Sequence, residues 1–227
     1  MKATREPRRS GSGGQVDRPT VSVDIVIFTI LNDRLHVLLV KRQADPFRGM
    51  WSLPGGLIGV DESLEEAARR ELEEKTGARN IYLEQLYTFD DPRRDPRLRV
   101  LTVAYYALVP AETVAVTIAD EADAEISWWP VESLVETAFD HHTIVKYAVD
   151  RLCNKLDYTP VGVELLPEFF TLSELQRVWE AILGNPVDKR NFRKKMRGRD
   201  WLDKAEGTRR NGPHRPAQLY RFVEGEG

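Results

Sequence analysis

WSLPGGLIGVDESLEEAARRELEEKTGA, residues 51–78, is the stretch whose spacing decides the fold. Glu62 lies six residues after Gly56, and Arg70 eight after Glu62. Glu71, Leu72, Glu74, Lys75 and Gly77 follow. Ser63 and Glu66 form a capping box, and Gly77 supplies a left-handed stop, so a helix is predicted over Ser63–Thr76. At ~100° per residue, Leu64, Ala67, Ala68, Glu71, Leu72 and Lys75 share one face. Four of these are apolar or small, so that face packs inward. Glu71 and Lys75 stand at i and i+4 in the favourable order, which predicts an ion pair needing no metal. Glu73 falls on the opposite face and reads as a solvated charge.

Around this helix the pattern is mixed α/β. Val21–Ile30 and Leu35–Arg42 read as a hairpin turned at Asn32-Asp33-Arg34. Ile81–Phe89, Val100–Val109 and Ile126–Trp129 are further strands, with a helical turn at Val131–Val135 and a helix at His141–Leu156. The layers implied are α/β/α. Tyr158-Thr159-Pro160 breaks the pattern and marks a boundary. Beyond it, Thr171–Leu183 is a helix boxed by Thr171 and Glu174. Gly184-Asn185-Pro186 turns into a second helix, Asp188–Arg197. Trp201-Leu202 and Leu219–Phe222 read as strands flanking a basic tip, Thr208–Pro216. That order is a small winged helix-turn-helix. The organisation expected is a disordered basic tail over 1–19, an α/β domain over 20–158, and a linker with the winged helix over 159–227.

The 227 residues carry 33 Lys and Arg against 36 Asp and Glu, a net charge of −3. The balance hides an asymmetry: residues 189–221 hold 12 basic and 3 acidic side chains, a net of +9. A compact basic patch on an acidic body points to nucleic acid. The longest apolar runs are too short to span a bilayer, and the N-terminus lacks an apolar signal core, so a cytoplasmic location is expected. The single cysteine, Cys153, excludes an internal disulfide and reads as core filler.

The residues from Gly56 to Gly77 resemble the Nudix box, G-x5-E-x7-R-E-U-x-E-E-x-G-U with U apolar. Every fixed position matches except Lys75, which stands where the family has glutamate. The resemblance covers about residues 20–158 and implies the Nudix α/β/α sandwich. In Nudix hydrolases the acidic residues hold a Mg²⁺ or Mn²⁺ that activates a pyrophosphate. Here the box Glu62, Arg70, Glu71, Glu74 and Lys75 is degenerate. The site is read as a ligand pocket with no required cofactor. Mg²⁺ on Glu71 and Glu74 belongs to the alternative in which hydrolysis is retained. Arg93, Arg94 and Arg97, in the stretch Pro92–Arg97, resemble the charged loop of the ADP-ribose-processing branch. With Gly55 and Gly56 they are the candidate ligand-binding residues, since guanidinium groups fork onto a diphosphate. Asp120, Glu121, Asp123 and Glu125 form an acidic loop, and His141-His142 reads as helix entry rather than a metal pair.

On the second helix of the winged unit, Phe192 and Met196 form an apolar pair facing the core. Arg190, Lys194 and Arg197 point away, flanked by Asn191 and Arg193, as a basic face for a major groove. Arg209, Arg210 and Arg215 crowd the wing and would reach phosphate or the minor groove. Lys189 and Lys195 fall nearer the core side. A Nudix body followed by Leu165-Leu166-Pro167 and this winged helix resembles the Nudix-related transcriptional regulators (NrtR-like). Phe139-Asp140-His141 and Asp188–Arg193 also look like that family, whose members regulate bacterial NAD metabolism. The resemblance implies a homodimeric repressor that binds operator DNA of NAD-metabolism genes and senses ADP-ribose, with no membrane association. Two alternatives stand beside it: an active ADP-ribose pyrophosphatase with an appended DNA-binding domain, and a catalytically dead interaction module.

Overall fold

The computed structural model describes residues 18–111, 113, 125–209 and 216–223. Strands β1 (Thr20–Leu31), β2 (Arg34–Lys41), β3 (Trp51–Ser52), β4 (Gly55–Leu57), β5 (Tyr82–Phe89), β6 (Val100–Leu108) and β7 (Ile126–Pro130) form one mixed sheet. Its main order is β3-β2-β1-β6-β5, with β4 paired to β1 and β7 paired to β2. β1 and β6 run parallel from Thr20↔Val100 to Phe28↔Leu108, and β1 and β2 close the expected hairpin.

The alternation along β1 separates the two faces. Val23, Ile25 and Ile27 pack with Ala67, Ala68 and Leu72 of helix α1 (Leu64–Thr76). Val26 and Phe28 pack on the other face with Ile144, Val145, Ala148 and Leu152 of helix α2 (His141–Lys155). The α/β/α sandwich is therefore present. Both halves of the α1 capping box form, and Gly77 closes the helix at φ 63°.

Beyond a 3-10 turn at Val161–Leu165 come β8 (Phe169–Thr171), helix α3 (Leu172–Leu183), helix α4 (Lys189–Arg197), β9 (Leu202–Arg209) and β10 (Ala217–Phe222). The strands make a sheet in the order β8-β10-β9, and α3, a glycine turn at Gly184 (φ 66°) and α4 make the helix-turn-helix. β8 gives this sheet a third strand beyond the two-stranded ribbon expected. The break at Tyr158-Thr159-Pro160 ends α2 but does not divide the apolar core. Leu175, Trp179, Phe192 and Met196 belong to the same buried cluster as the α2 face of the sandwich. No described helix is long and apolar enough to cross a membrane.

Candidate effector cleft and nucleic-acid interface

Gly55 and Gly56 let β4 lie against β1 and α1. A Cβ on Gly55 would meet the Val23 carbonyl oxygen at 2.3 Å, and one on Gly56 would meet Glu71 Oε1 at 2.6 Å. Glu71 is thereby buried beneath the glycine strand. Its partner is not the one the helical wheel proposes: Arg70 Nη1 reaches Glu71 Oε1 at 2.7 Å. The same guanidinium holds Glu62 at 2.8 Å and stands 3.6 Å from Glu74. A flexible guanidinium at the next position simply reaches the buried carboxylate that the wheel gives to Lys75. Arg70 holds the Glu62 carboxyl below the usual carboxylate range, helped by the Gly59 N–H at 3.0 Å. Glu73 is partly exposed on the outer face and pairs with Arg79 at 2.5 Å.

Glu62, Glu71 and Glu74 share the Arg70 guanidinium in this structure, and Lys75 stands one turn along α1 from Glu71.

The arginine loop folds over the start of α2, and its three arginines have three different fates. Arg94 is buried, its side chain 5% exposed. It forks onto Asp140 through Nε (3.0 Å) and Nη2 (2.8 Å) and also reaches Asp24 at 3.1 Å. Burial would lower its pKa, but Asp140 and Asp24 outweigh that and raise it. Arg97 forks onto Asp95, whose carboxyl it draws down. Arg93 is 92% exposed, with its Nε 3.8 Å from Asp91.

Arg93, Arg94, Pro96, Asp140, Phe47 and Phe139 line a cleft of about 520 Å³, within the range of small-ligand sites. Phe47 (φ 66°) and Phe139 (φ 55°) both adopt the left-handed backbone region, which aromatic residues rarely occupy. Their rings meet edge-on at 4.9 Å, and Arg42 lies 4.7 Å above Phe139. Guanidinium groups beside aromatic faces suit an anion that carries a flat ring.

Asp24 ties the cleft to the glycine strand. It pairs with Gly55 in register and lies 3.6 Å from His141 Nε2. His141 Nδ1 accepts the Leu53 N–H at 2.8 Å, which leaves Nε2 to carry the proton toward Asp24. Burial lowers the His141 pKa and keeps the ring neutral. The expected role of His141 in helix entry thus extends to holding the glycine strand.

On the winged unit, Phe192 and Met196 are buried as expected. Asp188 caps α4 by accepting the Asn191 N–H at 2.8 Å. Arg190, Asn191, Lys194 and Arg197 are exposed, and Arg193 is half-buried. Among the described residues none of these cations has a carboxylate partner. Lys189 is exposed and lines the same concavity, so it joins the outer face instead of the core side. Lys195 does turn inward, 4.8 Å above the Trp179 ring.

A Nudix domain model matches residues 20–151, and a model for the NrtR DNA-binding winged helix domain matches residues 162–222. The chain is 38% identical to the ADPR responsive transcriptional repressor NtrR of Acinetobacter baylyi, over 90% of this chain and 82% of that protein. It belongs to the NrtR family. Its fold matches that of Shewanella oneidensis NrtR complexed with a 27mer DNA, with a TM-score of 0.82 and 40% identity, covering 89% of this chain and 93% of that one. Its Nudix domain is also similar to the NUDIX domain of Shewanella oneidensis NrtR complexed with ADP ribose. That match has a TM-score of 0.53 and 38% identity over 60% of this chain and 90% of the other.

One wing residue of this NrtR-family chain is spent internally. Arg209 Nη1 binds Glu174 Oε1 at 2.9 Å, and Nη2 binds the Phe169 carbonyl at 2.8 Å. Burial pushes the Glu174 pKa up, but the Thr171 N–H and Arg209 outweigh it and hold the carboxyl low. Arg209 therefore fastens the wing to the start of α3. Arg210 and Arg215 lie outside the described residues, as do residues 1–17 and Asp120, Glu121 and Asp123 of the acidic loop. Glu125 pairs with Lys41. Sequence reasoning passed over Asp24, although a lone carboxylate inside the apolar run Val21–Ile30 was a visible signal. It also passed over Glu84, which binds Tyr106 at 2.9 Å together with Tyr82 and Lys155.

Proposed function

We propose that the chain is a transcriptional repressor whose affinity for operator DNA is set by ADP-ribose bound in its Nudix domain. The observation that carries this reading is the exposed basic face of α4. Three cations at i, i+4 and i+7 stand on the second helix of a helix-turn-helix with no carboxylate partner among the described residues. Such a face suits the phosphates and base edges of a major groove. The cleft of Arg93, Arg94, Phe47 and Phe139 suits the diphosphate and adenine of ADP-ribose. A homodimer would set two α4 helices on a palindromic site. NAD-metabolism genes are the targets that the family points to.

Lys75 favours binding without hydrolysis, because it puts an ammonium where the family's box has a metal-holding glutamate. Calorimetry with ADP-ribose in EDTA, and again in Mg²⁺, tests this together with product analysis. The reading expects binding in both buffers and no turnover. Hydrolysis in Mg²⁺ at ordinary enzyme rates of ~1–10³ s⁻¹ would favour the pyrophosphatase alternative instead.

A further inference from the structure

Asp157, in the connector just past α2, grips the recognition helix. Its Oδ1 takes Lys195 Nζ at 2.5 Å, and its carbonyl oxygen accepts Arg199 Nη2 at 2.5 Å. The connector is in turn fastened to α2. The carbonyl of Lys155 accepts the Thr159 N–H and hydroxyl, both at 2.9 Å, and the Tyr158 N–H at 3.2 Å. The Lys155 ammonium is anchored on the sheet at Glu84 and at Tyr82 (3.2 Å).

The other end of α2 lies in the effector cleft. Asp140 is its N-cap residue, yet the Asp140 side chain makes no capping bond to the helix. Its carboxylate is turned to Arg94 instead. Between the two ends run 15 residues, a rod of about 22 Å, packed on the sheet through Ile144, Val145, Ala148 and Leu152.

We propose that α2 and Asp157 carry the effector's signal, with Asp157 as a positioning residue for the recognition helix. The proposal rests on the reading of ADP-ribose as effector. A diphosphate entering the cleft competes with Asp140 for the Arg94 guanidinium, since both anions seek the same fork. Loosening that fork frees the start of α2 to shift. The helix moves as a unit, and Asp157 passes the movement to Lys195 and Arg199 on and beside α4. The ligand then favours one placement of α4 over another, as any effector must.

The test uses the full-length chain and a duplex selected by the protein from a randomised pool. Calorimetry gives the affinity for ADP-ribose. Fluorescence anisotropy gives the DNA affinity with and without saturating ADP-ribose, and their ratio is the readout. Asp157 is 75% exposed, so Asp157→Ala leaves the fold intact. Asp157→Ala and Arg199→Ala should keep ADP-ribose affinity within about twofold, as surface substitutions away from a site do. Each should shrink the ratio by about two- to fivefold, the scale of one exposed charge contact. Arg177→Ala removes the loose Arg177–Asp33 pair (3.9 Å) between the same two domains and should keep the wild-type ratio. A wild-type ratio of one overturns the effector reading itself. A responsive wild type whose Asp157→Ala and Arg199→Ala variants respond equally overturns this proposal. So does an Arg177→Ala variant that loses as much as Asp157→Ala, because coupling would then be spread over the whole domain interface.

Discussion

In the Nudix domain, the guanidinium groups of Arg70, Arg94 and Arg97 end on carboxylates of the same chain. On α4, Arg190, Lys194 and Arg197 face solvent with no described carboxylate opposite them. Both regions are rich in cations, yet one holds these three on its own carboxylates and the other leaves its cations open to an outside anion. A paired guanidinium adds rigidity and specificity to a site, while an unpaired one is ready to meet phosphate. Of the three arginines of the cleft loop, Arg93 is the most exposed, at 92%, with its Nε 3.8 Å from Asp91.

The strongest way to break this contrast is to strip the open face. Replacing Arg190, Lys194 and Arg197 with Ala should cost about 3–9 kcal/mol of DNA binding, at about 1–3 kcal/mol for each base-reading contact. Thermal stability should hardly change. Anisotropy titrations over several salt concentrations check this, and each lost phosphate contact should lower the salt slope by about one. Unchanged affinity would remove α4 as the reader.

Arg94→Ala should show the reverse pattern. It leaves Asp24 and Asp140 facing each other without their cation, and breaking a buried pair of this kind costs about 3–5 kcal/mol. Urea denaturation measures the loss. Arg93→Ala should stay within about 0.5 kcal/mol of wild type in the same assay but weaken ADP-ribose binding. Equal stability of the two variants would dissolve the distinction between arginines held by the fold and arginines left open.

Arg209→Ala sharpens the comparison within the winged unit. Because Arg209 is tied to Glu174 and Phe169, its loss should cost about 1 kcal/mol of stability, discounted for partial exposure. The salt slope of DNA binding should stay near that of wild type. A slope lowered by a full phosphate contact would return Arg209 to the DNA-binding set.

The smallest effect is a pH dependence. The His141 pKa is lowered in the folded state from its ordinary 6.5, so the unfolded chain binds the proton first as pH falls. Stability is therefore full above pH 6.5 and declines as pH drops toward the lowered folded-state value. His141→Asn offers an oxygen to the Leu53 N–H but cannot titrate. Its melting temperature should fall less as pH drops below 6.5 than that of the wild type. Parallel curves would show that His141 does not supply the slope.

The helix of the Nudix box and the first helix of the helix-turn-helix were legible because caps and 3.6-residue spacing act within a few residues. Ser63 with Glu66, and Thr171 with Glu174, form as the sequence implies. The two short strands β3 and β4 were hidden in the Pro/Gly-rich passage after Asp45, since two- and three-residue strands carry no period. The fates of individual arginines were the least legible part. A helical wheel places Lys75 beside Glu71, but it is Arg70 Nη1 that reaches Glu71 Oε1, at 2.7 Å. Arg94 meets Asp24 across 70 residues and Asp140 across 46, and Arg209 meets Glu174 across 35. Local spacing is blind to partners that only tertiary packing brings together. The open face of α4 was legible for the converse reason: its role depends on one helix alone.

The most direct test of the account is the DNA affinity of the full-length chain measured with and without ADP-ribose, in EDTA, at a single salt concentration. A metal-free change in affinity of tenfold, about 1.4 kcal/mol of coupling, is the scale expected of an effector acting through the cleft. Tight DNA binding that is identical in the presence and absence of bound ADP-ribose would contradict it, leaving a DNA-binding domain that takes no instruction from the Nudix fold beside it.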